Sequence, residues 1–125
     1  MNTCDELEAV KEVVNRYIEG SYKADIPLLK RVFHEDARMA GYLGKDLLFG
    51  GPEPFFDNLQ SRPSMYENGD PYRAEIVHIQ VTQRIANVIL YEKGFFGSAE
   101  FENHFHLIKD GSEEWKIISK TFTTL

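Results

Sequence analysis

The spacing of apolar residues divides the chain into two regimes. Early on, Leu7, Val10, Val14 and Tyr17 recur at steps of three and four, with Val13 and Ile18 beside them. That period is one apolar stripe on a helix, and it predicts a helix from about residue 5 to 22. Ahead of it, Thr3-Cys4-Asp5-Glu6 fits a capping box, in which two side chains satisfy free backbone N–H groups. Asp25 predicts an N-cap for a second helix, and Pro27 suits its first turn. Leu28, Leu29, Val32 and Phe33 form that helix's buried side, and its end falls near His34-Glu35-Asp36. Ala37 to Leu43 reads as a short strand, Gly44-Lys45-Asp46 as a turn, and Leu47 to Phe49 as a return strand. A third short helix is expected around Phe55, Phe56 and Leu59, ending before Pro63. Residues 61 to 72 carry Ser, Pro, Asn, Gly and Asp and read as a loop, whose Met65 and Tyr66 can cover apolar surface.

Beyond that loop the period becomes two. Residues 73–82, 85–93, 98–109 and 115–124 read as strands rich in Ile, Val, Phe and Thr. Their short breaks, Gln83-Arg84, Gly94 to Gly97 and Asp110 to Glu114, imply antiparallel hairpins. Helices first and a meander after them make one α+β domain over residues 1–125, with helices on one face of a sheet. Phe101, Phe105 and Leu107 alternate with His104, His106 and Ile108, and Trp115 and Ile117 with Ile118 and Phe122. A face in contact with water should be polar. The second face is therefore expected to be covered too, by another copy of the chain in a homodimer.

Composition narrows the partners. The 125 residues carry a formal charge of −6, and no run of Lys or Arg exceeds two. Nucleic acid needs a basic stripe, so it is not an expected partner. No apolar run approaches the roughly 18 residues of a membrane span. Met1 to Asp5 lacks the regions of a signal peptide, so the expected location is cytoplasmic, with no membrane partner. The single cysteine, Cys4, permits no internal disulfide and reads as an inert thiol near a terminus.

Arg16-Tyr17-Ile18-Glu19, Ala24-Asp25-Ile26 and Phe33-His34-Glu35-Asp36-Ala37 resemble the opening of ketosteroid isomerases and SnoaL-like proteins. The closing segments Leu107-Ile108-Lys109-Asp110-Gly111 and Trp115 to Phe122 resemble the same nuclear transport factor two-like superfamily. The resemblance is nearest to its subgroup described as putative lumazine-binding. It implies three N-terminal helices packed on a strongly curved, mostly antiparallel sheet, a cone-shaped pocket at the open end, and a dimer through the outer sheet face. Activity does not follow, because this fold hosts isomerases, dehydratases, cyclases and binders.

Ketosteroid isomerases use an Asp base, with a Tyr and a protonated Asp as oxyanion donors. The resemblance matches that Tyr to Tyr17. It puts the base four residues after Ala37, at Gly41, which has no proton acceptor. This isomerisation is therefore not expected. The protonated Asp corresponds to His104 or His106, which share a strand face with Glu102 and Ile108. Two histidines so spaced can bind metal or move protons, or they can sit in a polar lining or an interface. No third ligand is evident beyond His78 on another strand, so neither a metal nor a cofactor is expected. Tyr17 is either core or a pocket hydroxyl. Met39 shares parity with Ala37 and Gly41, the face that the resemblance turns inward. Phe33, Phe55 and Phe56 read chiefly as core. The candidate site is Tyr17, Met39, Phe56, His104 and His106. The expected function is binding of a small, planar or apolar molecule of unidentified structure. The alternatives are an isomerase- or dehydratase-type enzyme using Tyr17 with a pocket histidine, and an interaction module that uses the fold only to dimerise.

Overall fold

The computed structural model describes residues 3–125, leaving aside the side chain of Thr3. The first helix, α1, runs Thr3–Lys23. It buries Val10, Val13, Val14 and Tyr17, the stripe read from the sequence. The Thr3 half of the capping box lies outside the described side chains. Its Glu6 half turns to the sheet instead: one carboxylate oxygen accepts from Trp115 Nε1 at 2.7 Å and the other from Lys109 Nζ at 3.0 Å. These two bonds pin the first turn of α1 to one end of the curled sheet.

Helix α2 (Ile26–Val32) is capped as expected, with Asp25 accepting from the Leu28 N–H at 3.2 Å. It stops at Val32, earlier than the sequence suggests. Phe33 is already extended and pairs with Ile117, so His34, Glu35 and Asp36 belong to strand β1 (Phe33–Leu43). Here His34 Nδ1 accepts from the Asp36 N–H, which places the imidazole in a bulged strand rather than at a helix end. Strand β2 (Asp46–Gly50) returns antiparallel, and α3 (Glu53–Gln60) follows. Within the expected loop, one further turn of helix, α4 (Met65–Asn68), is capped by Ser64, and it buries Met65. Strands β3 (Arg73–Thr82), β4 (Ile85–Phe95), β5 (Ala99–Lys109) and β6 (Trp115–Thr124) complete the chain.

The six strands form one sheet in the order β2-β1-β6-β5-β4-β3. Every pairing is antiparallel except β1 with β6. The sheet curls around the helices without closing. Tyr17, Leu29, Phe33, Leu59, Val88, Phe105 and Ile117 meet in the core between the two layers. Two glycines are required by close approach. A Cβ on Gly41 would lie 2.1 Å from the Phe122 carbonyl oxygen, and one on Gly94, which has φ +67°, 2.1 Å from that of Pro71. Among the described residues no helix is long and apolar enough to cross a membrane.

Candidate ligand-binding site

Three buried polar residues cross the inner face of the sheet on a diagonal. Glu92 on β4 pairs with Phe101, Asn103 on β5 with Phe122, and Lys120 on β6 with Phe105. Each is therefore a diagonal neighbour of the next, at a separation that long side chains can bridge. Their exposures are only 1%, 1% and 5%. A buried carboxylate or ammonium is stable only with partners, and Glu92 has two. Asn103 Nδ2 donates to Glu92 Oε1 at 2.6 Å, and the Tyr72 hydroxyl donates to Oε2 at 2.5 Å. Asn103 Nδ2 also donates to the Leu90 carbonyl, which fixes the amide so that its Oδ1 is the end without a donor among the described residues. Burial, reinforced by Glu92, pushes the Tyr72 phenol far up and keeps it a hydrogen-bond donor.

Lys120 is held differently. Its Nζ lies 4.3 Å from the ring centre of Phe55, 5.1 Å from that of Tyr17 and 5.2 Å from that of Phe122. These faces attract an ammonium through their quadrupoles. Desolvation lowers its pKa to about 8, against the pull of Glu92 in the other direction. Tyr17 lies beneath, fully buried, with its ring centre 4.8 Å from that of Phe105 and 6.0 Å from that of Phe55. Burial and then Glu92 raise its phenol, and Ser21 one turn on opposes them; among the described residues neither hydroxyl meets a partner in hydrogen-bond geometry.

Above this floor lies a cavity of about 590 Å³, within the range of small-molecule sites. Its walls are Met39, Phe55, Phe95, Phe101 and Phe122, and Glu92, Asn103 and Lys120 are its buried polar groups. Leu48, Phe49 and the Gly50-Gly51 turn rim it, with Phe49 82% exposed. At another edge the Arg62 guanidinium stacks 3.5 Å from the centre of the Phe96 ring.

The structure separates the residues named from sequence. Met39 lines the cavity. Tyr17 supports its floor through Lys120 without lining it. Phe56 is core, against Phe33 and Phe55, while Phe55 reaches the cavity. His104 and His106 must be reassigned. On β5 the inward positions are Phe101, Asn103, Phe105 and Leu107, so both histidines lie exposed on the opposite face. The register shift between β5 and β6 comes only after His106, too late to turn them inward. His104 Nε2 instead meets Glu102 Oε2 at 2.7 Å. An enzyme built on Tyr17 and a pocket histidine thereby loses its histidine. At Gly41, the position that the resemblance matches to the isomerase base, the Phe122 ring lies 2.6 Å from where a Cβ would be, so a carboxylate side chain there would force the neighbouring strand to move. Among the described residues, no group of three or more His, Cys, Asp or Glu is placed to hold a metal.

A family model described as "Putative lumazine-binding" matches residues 5–123. The chain belongs to this family. No curated protein matches it. Solved structures similar to this lumazine-binding family member include an NTF2-like protein of unknown function from Shewanella baltica, 25% identical, with TM-score 0.86 over 100% of this chain and 98% of the other. Another, from Silicibacter pomeroyi, is 19% identical with TM-score 0.88, and each chain is covered in full. A ketosteroid isomerase-like protein from Erwinia carotovora atroseptica is 18% identical with TM-score 0.70, covering 100% of this chain and 98% of that one. These likenesses establish the nuclear transport factor two-like fold of the family member.

Proposed function

We propose that the protein binds a small planar molecule in the cavity, apolar over most of its surface and polar along one edge. The observation that carries this reading is the buried diagonal of Glu92, Asn103 and Lys120 at the base of aromatic walls. Among the described residues Asn103 Oδ1 has no donor, and the contacts of the Lys120 ammonium are with three ring faces. Buried groups of this kind normally have partners. A ligand edge with a ring N–H beside a carbonyl supplies both, the N–H to Asn103 and the oxygen to Lys120. The family's name points to such a molecule, since lumazine is a flat bicycle with this edge. Titration with lumazine, followed by its own fluorescence, tests the proposal. Saturable 1:1 binding, weakened at least tenfold in Lys120→Met and Asn103→Leu, is expected. Equal affinity in both variants would overturn the assignment of the polar floor.

The proposal includes a homodimer in the cytoplasm, assembled through the outer sheet face. Supporting it, Ile85, Ile89, Tyr91, Ile108 and Ile118 point away from the core and stay partly exposed.

A further inference from the structure

Among the described residues of the cavity floor, Lys120 is the one that carries an amine. Its amine sits on β6 among Tyr17, Phe55 and Phe122, and none of these side chains accepts a hydrogen bond from it, the Tyr17 hydroxyl being out of hydrogen-bond geometry. Glu92, two strands away on the diagonal, is engaged by Tyr72 and Asn103. The surrounding cavity is greasy and open enough to admit an aromatic or unsaturated aldehyde or ketone.

We propose that Lys120 captures carbonyl compounds covalently, as a reversible imine inside the cavity. The inference rests on the cavity being a ligand site, and adds a reaction to it. The neutral amine attacks the carbonyl carbon; the C–N bond forms and the π pair moves to oxygen. A proton passes from nitrogen to that oxygen through water, giving a carbinolamine. Protonation of the hydroxyl and cleavage of the C–O bond release water and leave a protonated imine. The sum is one ammonium and one carbonyl compound giving one iminium and one water, with no oxidant or reductant. The three rings that now face the ammonium would face the delocalised iminium cation, and the Glu92 charge lies close enough to favour it. The lowered pKa supports this chemistry. At pH 7 an amine near 8 is neutral in about 1 molecule in 10, an ordinary lysine in about 1 in 3,000.

The test is reductive trapping. The full chain is incubated at pH 7 with 2-naphthaldehyde and sodium cyanoborohydride, and adducts are read by intact mass and peptide mapping. The expected product carries one aldehyde less one oxygen atom, at Lys120, formed at least about tenfold faster than adducts at exposed lysines such as Lys45. Its rate should level off near pH 8, whereas surface adducts keep rising with pH. Lys120→Arg, which keeps the charge, should lose the fast phase and retain the slow surface labelling. A label spread over surface lysines, with Lys120 no faster than the rest, would overturn the proposal. Binding of 2-naphthalenemethanol, which has no carbonyl, is measured alongside by ligand-observed NMR. If the alcohol binds and Lys120 is not trapped, the imine falls and the binding site stands. If neither occurs, both fall.

Discussion

Lys120 is the residue whose environment departs furthest from what a lysine prefers, and pH should expose it. Its pKa is about 8 in the folded chain against an ordinary 10.5. Between these values the unfolded chain binds more protons, so stability rises with pH across that window. The increase from pH 8 to 10 should be roughly 2 kcal/mol in urea denaturation. Above pH 10 it should reverse, because Tyr17 and Tyr72 have raised pKa values and their stabilisation is lost as the pH climbs. In Lys120→Met the rise between pH 8 and 10 should disappear; if it persists, another group is responsible. Tyr72→Phe removes the hydroxyl donor to Glu92. A hydrogen bond to a charged group contributes about 1.5–3 kcal/mol, and the same denaturation should show a loss of that size. Two members of this polar floor were visible in the sequence as anomalies. Glu92 follows Val88 and Leu90 at their parity, and Asn103 stands between Phe101 and Phe105. A polar residue at an apolar position of a strand is the informative signal, and the eye goes to the histidines instead.

Elements explain why Lys120 was hidden. On β6 the inward positions are Trp115 and Ile117, then Lys120, after the register slips against β5. An alternation counted straight through from Trp115 puts Lys120 on the outer face, since a bulge inverts parity. The four strands of the meander, the N-cap at Asp25 and the third helix were legible because each depends on local pattern. The end of α2 was not, because the parallel pairing of Phe33 with Ile117 is a contact between residues distant in sequence. That same β1–β6 pairing makes Gly41 a sensitive position. Gly41→Ala forces a Cβ against the Phe122 carbonyl and ring. Overpacking of this kind costs roughly 1–3 kcal/mol, so the midpoint of denaturation should fall accordingly. An unchanged midpoint would mean that the two strands separate more easily than their register suggests. No turnover of a β,γ-unsaturated ketosteroid is expected either, since nothing at Gly41 can take the proton; a robust rate in a spectrophotometric assay would show another base.

At the scale of the whole molecule, the curled sheet has an inner face that holds the cavity and an outer face that carries His104, His106 and the outward isoleucines. The homodimer should appear in light scattering at twice the chain mass of 14.4 kDa, and Ile89→Asp should convert it to monomer. A stable monomer of the unmodified chain at micromolar concentration would leave the outer face without its proposed partner. On the inner face, the proposed ligand meets Asn103 and Lys120 with its polar edge. The most direct measurement is an NMR titration of labelled protein with lumazine, following the Asn103 side-chain amide, the Lys120 side chain and the histidine rings. Saturable shifts of the Asn103 and Lys120 signals are expected, with the His104 and His106 rings unmoved. Shifts at those rings, or an Asn103 amide that stays in place at every lumazine concentration, would contradict this binding mode.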